Sequence, residues 1–438
     1  MSKQSHHKQT GLFGDKRMQM TESIEMTIGS LHAYADRDHV AVAWSGGKDS
    51  STLVTLYIHL ILAGKVRAPK TLTILYADTR LELLPLWASA ESIREEMLDH
   101  ADALLAMGTK LDVRIVMAPM DKRFMVYILG RGVPPPNNRT LRWCTVAIKI
   151  DPMAEELRKV ACDLGLGAMV EGPRGLVYQG FGKDKLLVLT GVRVGESAVR
   201  DARITLSCSG NNAECGQGWY QQELPEALCD TLAPILHWRV CHVWSWLKHH
   251  APTPEFGDWT TEPLADAYGG DEAEEANART GCVGCPLVEH DSALDAIIRQ
   301  IKWAYLAPLK KLRPIWRWLR TSPVRLRKKG GETRKDGSLV ANQQRMGPIT
   351  RDARLEALAQ ILAIQAEVNV AADALGRPRL DILNAEEEAR IRELVAANTW
   401  PDKWTGDEPL GNEEFEPQFA DGTSQPLLIR AMGWEKKA

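Results

Sequence analysis

A large net charge, an internal repeat and a long apolar run near the start are all missing from this 438-residue sequence. The formal charge of -3 suggests no binding partner by itself, although an average can hide a basic region beside an acidic one. Without a repeat, a stacked array is excluded. The opening "MSKQSHHKQTGLFGDKR" is polar, and the apolar run around Leu53 to Leu62 is too short to span a bilayer, so a cytoplasmic protein with no membrane partner is expected. His6 and His7 belong to a polar arm and do not read as a ligand pair. In a reducing compartment, eight cysteines point to metal binding or redox chemistry before structural disulfides.

What is present is an alternation of strands and helices. Residues 40 to 44 read as an apolar strand and Ser50 to Leu62 as a helix. "TLTILYADT" is a second strand, Pro85 to Met107 a long helical pattern and "LDVRIVM" a third strand. "KLLVLTGVR" is a further strand with a helix beginning in "VGESAVRDAR", whereas the triple proline of "GRGVPPPNNRTLRWC" makes that stretch a loop. This spacing predicts an α/β fold, a parallel twisted sheet flanked by helices, with a mainly helical C-terminal extension. Four stretches are expected: an arm over 1–24, the nucleotide domain over 25–250, a cysteine-bearing and basic segment over 251–350, and helices with an acidic tail over 351–438.

Between the first strand and its helix stands Ser45-Gly46-Gly47-Lys48-Asp49-Ser50-Ser51. A glycine turn feeding a helix N-terminus aims several N–H groups at one point, which suits phosphate oxygens. It is not a Walker A loop, because Val42 stands where that motif needs glycine. The stretch matches SGGxDS and resembles the PP-loop of the ATP pyrophosphatases, which cleave ATP between its α and β phosphates. "YADTRLE" and "TGVRVGESAVR" are similar to elements of the phosphoadenylylsulfate reductase group. With "RTLRWCTVAIK" and "RTGCVGCP", the resemblance narrows to the DndC/SspD family of bacterial DNA phosphorothioation, over roughly residues 40 to 350.

The resemblance implies adenylylation of a DNA backbone phosphate so that sulfur can replace a non-bridging oxygen, with ATP, Mg²⁺ and a [4Fe-4S] cluster as cofactors. DNA, a cysteine desulfurase and other phosphorothioation subunits are the implied partners, and a homo-oligomer is allowed. Ser45 to Ser51 would hold the phosphates, with Lys48 and Asp49 catalytic. Asp78 and Thr79 would contact the nucleotide or, for Asp78, Mg²⁺. Arg193 and Arg200 would be catalytic cations, with Arg139 and Arg142 as further candidates and Glu196 a positioning residue. Cys144, Cys282 and Cys285 would ligate the cluster, with Cys215 favoured over Cys208 as the fourth ligand, since the cysteine expected some twenty residues before the knuckle is absent. Zinc or a redox pair remains open for Cys282-x-x-Cys285 alone. Cys162, Cys229 and Cys241 are expected to be small buried hydrophobes.

From Lys310 to Lys335 there are eleven Lys or Arg and one acid, Glu332, with Trp316 and Trp318 interleaved with Arg317 and Arg320 and helical-core packing expected for at least one of the two tryptophans. Such density would recruit a polyanion, and DNA fits. Two alternatives stand beside the main reading. One is a reductase or adenylyltransferase subunit of sulfate assimilation; the other is a non-catalytic iron–sulfur DNA-binding component.

Overall fold

A computed structural model describes residues 18–137, 141–173, 175–182, 184–195, 228–270, 281–330, 333, 337–338 and 344–412. The chain forms two compact units built from interleaved segments, so neither follows the four consecutive stretches expected from composition. One comprises residues 1–77, 86–115 and 154–264; the other comprises 78–85, 116–153 and 265–438.

The first unit carries, in chain order, α1 (Met20–His32), β1 (His39–Trp44), α2 (Lys48–Leu62), β2 (Thr71–Ala77), α3 (Leu84–Asp99), α4 (Ala101–Ala106), β3 (Lys110–Val116), α5 (Asp151–Asp163), β4 (Gly167–Gly172), β5 (Gly175–Gly180), β6 (Leu186–Thr190), β7 (Cys229–Leu232) and α6 (Val240–Ser245). Five strands make one sheet in the order β3-β2-β1-β6-β7. β1 runs parallel to β2 and to β6, and β6 parallel to β7. The hydrogen bonds Lys110 N to Lys70 O at one end and Asp78 N to Val116 O at the other place β3 parallel to β2. The sheet is therefore parallel throughout, as the alternating pattern predicts. Its inner strands β1, β2 and β6 are short apolar runs because both faces are covered, with Val40, Ala41, Val42 and Trp44 of β1 all buried, whereas edge strand β3 is mixed and largely uncovered.

Helix α2 is apolar on nearly every side and belongs to the core. Two of its buried hydroxyls are paired with indole donors: Trp44 Nε1 donates to Ser51 Oγ at 2.9 Å and Trp246 Nε1 to Thr55 Oγ1 at 2.9 Å. The single helix expected over Pro85 to Met107 is instead α3 and α4, separated at His100. The hairpin β4–β5 has no counterpart in the sequence reading, because its strands are glycine-bounded and largely exposed on both faces.

The second unit contains α7 (Ser292–Arg299), α8 (Leu312–Trp318), β8 (Arg325–Arg327), β9 (Met346–Ile349), α9 (Arg351–Leu375) and α10 (Ala385–Ala396). Phe124, Leu129, Leu312, Ile315, Trp316, Leu358 and Ile361 sit in its core. Helix α9 is long and apolar enough to cross a membrane by length and composition. Its buried Arg354 and Asn369 are hydrogen-bonded within the unit, and Leu358, Ile361 and Val368 join the core, which is how a core helix behaves.

Candidate functional site

Chain order places β2 and β3 on one side of β1 and β6 and β7 on the other, so the connection reverses direction at β1. In open α/β sheets that switch point, at the carboxyl ends of the strands, is where ligands bind. The glycine turn stands there. Gly46 has φ +71°, a left-handed conformation that a side chain resists, and an added Cβ would lie 3.0 Å from Ala90 Cβ. Gly47 caps α2 with extended backbone, and the first helical hydrogen bond runs from Ser51 N to Gly47 O at 2.9 Å. By helix geometry the N–H groups of the first turn then lack an intrahelical acceptor and face outward along the axis, the arrangement that suits an anion.

Ser50 braces the turn from within, accepting from Ser45 N at 3.2 Å and donating to Gly47 O at 3.2 Å. Asp49 is held on both oxygens: Arg193 Nε donates to Oδ1 at 2.5 Å and Lys48 Nζ to Oδ2 at 3.0 Å. Arg193 also donates from Nη1 to Trp238 O at 3.2 Å and is only 4% exposed. The resemblance made Arg193 a catalytic cation; in the structure its guanidinium is turned onto Asp49. A carboxylate clamped by two cations is poorly placed as a general base and well placed to fix the lysine and the helix start. One contributor was overlooked. Gly191, at the end of β6, approaches so closely that a Cβ would lie 2.8 Å from Ser50 N and 2.9 Å from Asp49 C; its signal was its place in the quoted "TGVR" element.

Asp78 and Thr79 follow β2 directly, in the second unit. Thr79 is buried, and its hydroxyl donates to Glu82 Oε1 at 2.6 Å. The Glu82 carboxylate also accepts from Thr79 N and Leu81 N at 3.2 Å, while Asp78 accepts from Arg80 N at 2.8 Å, which holds Arg80 at φ +62°. Burial and the neighbouring Asp78 raise the Glu82 pKa. Glu82 was not singled out in the sequence because a carboxylate within a surface-like motif carries no periodic signal.

Cys144, Cys282 and Cys285 lie in the same unit as Glu82, which bridges to Cys282 through its backbone. The knuckle turns through Cys285 N to Cys282 O at 3.1 Å, with Gly284 at φ +58°. Burial pushes the Cys282 thiol up to about 11, with Glu82, Cys285 and Cys144 adding to the shift against an opposing Lys149. Burial likewise raises Cys144, with Cys285 adding to it. Lys149 lies in the same unit and is exposed at the surface; partial burial opposes its charge, but Cys282, Glu82 and the other two cysteines outweigh it and raise its pKa. Among the described residues no three His, Cys, Asp or Glu converge to hold a single metal ion. Cys208, Cys215, Arg139, Glu196 and Arg200 lie outside the described residues; Arg142 is exposed.

One expectation is corrected. Cys241 is exposed and Cys162 half-buried, and Cys229 is buried on a strand; only the last is a fully buried hydrophobe. Part of the basic stretch makes contacts within the protein, with the Lys310 and Lys311 side chains still more than half exposed. Lys310 pairs with Asp295 and Lys311 with Glu367, both at 2.6 Å. Arg313, Arg320 and Arg325 donate to backbone carbonyls, and Lys328 pairs with Glu408 at 2.6 Å. Trp316, 1% exposed, meets Phe124 edge-on at 5.6 Å, so it belongs to the core and presents no face to a base.

No family model matches the sequence. An uncharacterized protein of Methanocaldococcus jannaschii is 23% identical over 299 residues, covering 65% of this chain and 53% of that protein, so the chain spans about half the length of the curated relative it matches. Among solved structures, the U34-tRNA thiolase NcsA from Methanococcus maripaludis with its [4Fe-4S] cluster is 13% identical, with 59% of this chain and 76% of that chain covered at a TM-score of 0.28. An overlap of that size carries no argument about fold or chemistry.

Proposed function

We propose that the chain is a PP-loop ATP pyrophosphatase that activates a DNA backbone phosphate for sulfur insertion. The observation that carries the ATP reading is the Asp49 clamp at the switch point, where Lys48 and Arg193 fix the start of α2 beneath the glycine turn. The DNA-phosphate oxygen would attack the α phosphorus of ATP and release pyrophosphate. A sulfur nucleophile would then displace AMP, since an adenylylated oxygen departs far more readily than a bare one. Sulfur delivered as a desulfurase persulfide needs two electrons from a thiol reductant to reach the hydrosulfide level. Asp78 would be the candidate ligand for Mg²⁺, which would supply positive charge against the departing pyrophosphate.

Cys144, Cys282 and Cys285 would supply three thiolates to an iron–sulfur cluster, with Cys215 or Cys208 proposed as the fourth. Such a cluster, when bound, offers sulfur or electron chemistry; the chain's own part is to set the thiols and to place the Lys149 charge beside them. DNA, the desulfurase and companion subunits are part of this proposal. The test is anaerobic incubation with ATP, Mg²⁺, DNA, cysteine, a cysteine desulfurase and a thiol reductant, then nuclease digestion and mass spectrometry. A dinucleotide with one oxygen exchanged for sulfur is expected; unmodified DNA alongside full desulfurase activity and full iron content would contradict the reading.

One observation favours a second reading, sulfate assimilation. Part of the basic stretch that argued for DNA makes contacts within the protein itself. Thiol-dependent release of sulfite from phosphoadenylylsulfate, with no effect of DNA on ATP turnover, would support it.

A further inference from the structure

Arg320 was read in the sequence as part of a polyanion-binding face, yet its guanidinium is spent on three carbonyls of the protein. Nη2 donates to Pro136 O and, at 3.2 Å, to Pro286 O; Nε donates to Pro135 O at 3.4 Å. Pro135 and Pro136 belong to the proline loop that leads to Cys144. Pro286 directly follows Cys285. One planar fork thus holds two segments that carry the cysteines and are some 150 positions apart in sequence.

Two further contacts point the same way. Trp143, next to Cys144, donates from Nε1 to Pro134 O at 3.1 Å, so the loop is gripped from both sides. Helix α8, which ends just before Arg320, also supports the knuckle itself: a Cβ on Gly284 would lie 2.7 Å from Leu312 Cβ. Proline carbonyls in a loop have no ladder partner, so an arginine that satisfies three of them replaces missing secondary structure.

We propose that Arg320 is a positioning residue that fixes the separation between Cys144 and the Cys282–Cys285 knuckle. Its consequence for a cluster rests on the function proposed above; the tie itself does not. A lysine keeps the charge but presents no fork, so it cannot reach carbonyls of both segments at once.

The test uses the full-length protein without iron, treated with the thiol-bridging reagent dibromobimane and mapped by peptide mass spectrometry. Wild type should give a bridge from Cys144 to the knuckle. In Arg320→Lys and Arg320→Gln that bridge should fall several-fold, while the bridge within Cys282–Cys285 persists. Trp143→Phe, which keeps the ring but removes the donor, should cause a smaller loss. Arg313→Gln serves as the control, since Arg313 binds the Val288 and Glu289 carbonyls and not the proline loop; it should retain the wild-type bridge. Equal yields in wild type and both Arg320 variants, or an equal loss in Arg313→Gln, would overturn the proposal. Anaerobic loading with iron and sulfide is read separately: wild type should show a cluster absorption that both Arg320 variants lose in part. Failure of wild type to take up iron, with the Arg320-dependent bridge intact, would overturn the cluster reading and leave the tie standing.

Discussion

Asp49 matters because two cations divide its carboxylate between them, one from its own helix and one from the strand end 144 residues later. Asp49→Asn keeps the size but releases both partners, so ATP turnover should drop by about 10²-fold or more, with the circular dichroism spectrum unchanged. Gly191 acts through space: the methyl of Gly191→Ala would collide with the Asp49 and Ser50 backbone. ATP binding measured by calorimetry should weaken about tenfold, the equivalent of about 1.4 kcal/mol. Cys229 offers a pH-dependent readout. Burial, aided by the Asp230 charge, pushes its thiol up from 9.0 to about 12, so the folded protein favours the protonated form. Its contribution to stability is full below pH about 9 and is lost as pH rises toward about 12. At pH 8, iodoacetamide should label exposed Cys241 and spare Cys229; rapid labelling of both would contradict the burial.

Among the elements, the glycine turn was the most legible in sequence, because a glycine pair between an apolar strand and an apolar helix leaves few alternatives. Helix α2 begins at Lys48, two residues earlier than periodicity suggested, since Gly47 caps it through backbone geometry that no side-chain pattern announces. The basic stretch shows a related limit: composition records charge, but whether a guanidinium meets solvent or a carbonyl depends on long-range packing. Helix α9 gives another case. Arg354 is fully buried, donates to Gly130 O at 2.9 Å and Thr399 O at 3.1 Å, and stacks over Trp400 at 4.3 Å. Among the described residues no acid pairs with it, and burial lowers its pKa to about 10. Arg354→Ala strands two carbonyls and should cost about 2–4 kcal/mol in urea unfolding, partly offset by relief of a buried charge. A stability equal to wild type would show that the surroundings relax.

At the scale of the whole molecule, the parallel sheet could be read from the alternation of strands and helices, but the division into units could not. Residues 78–85 and 116–153 leave the sheet's sequence neighbourhood to join a core built from 265–438. Nothing in local composition marks such an exchange, because a segment's own residues do not say which distant core they join. The cysteines show the same limit: their spacing named Cys282 and Cys285 as a pair, whereas Lys149 and Glu82 beside them became visible only in three dimensions. The central claim is that the clamped glycine turn serves cleavage of ATP between its α and β phosphates. Its most direct test is to incubate the anaerobically purified protein with α-labelled ATP, Mg²⁺ and DNA and to separate the products. AMP and pyrophosphate should appear in equal amounts and vanish in Asp49→Asn; ADP and phosphate as the products, or AMP formation indifferent to Asp49, would contradict the account.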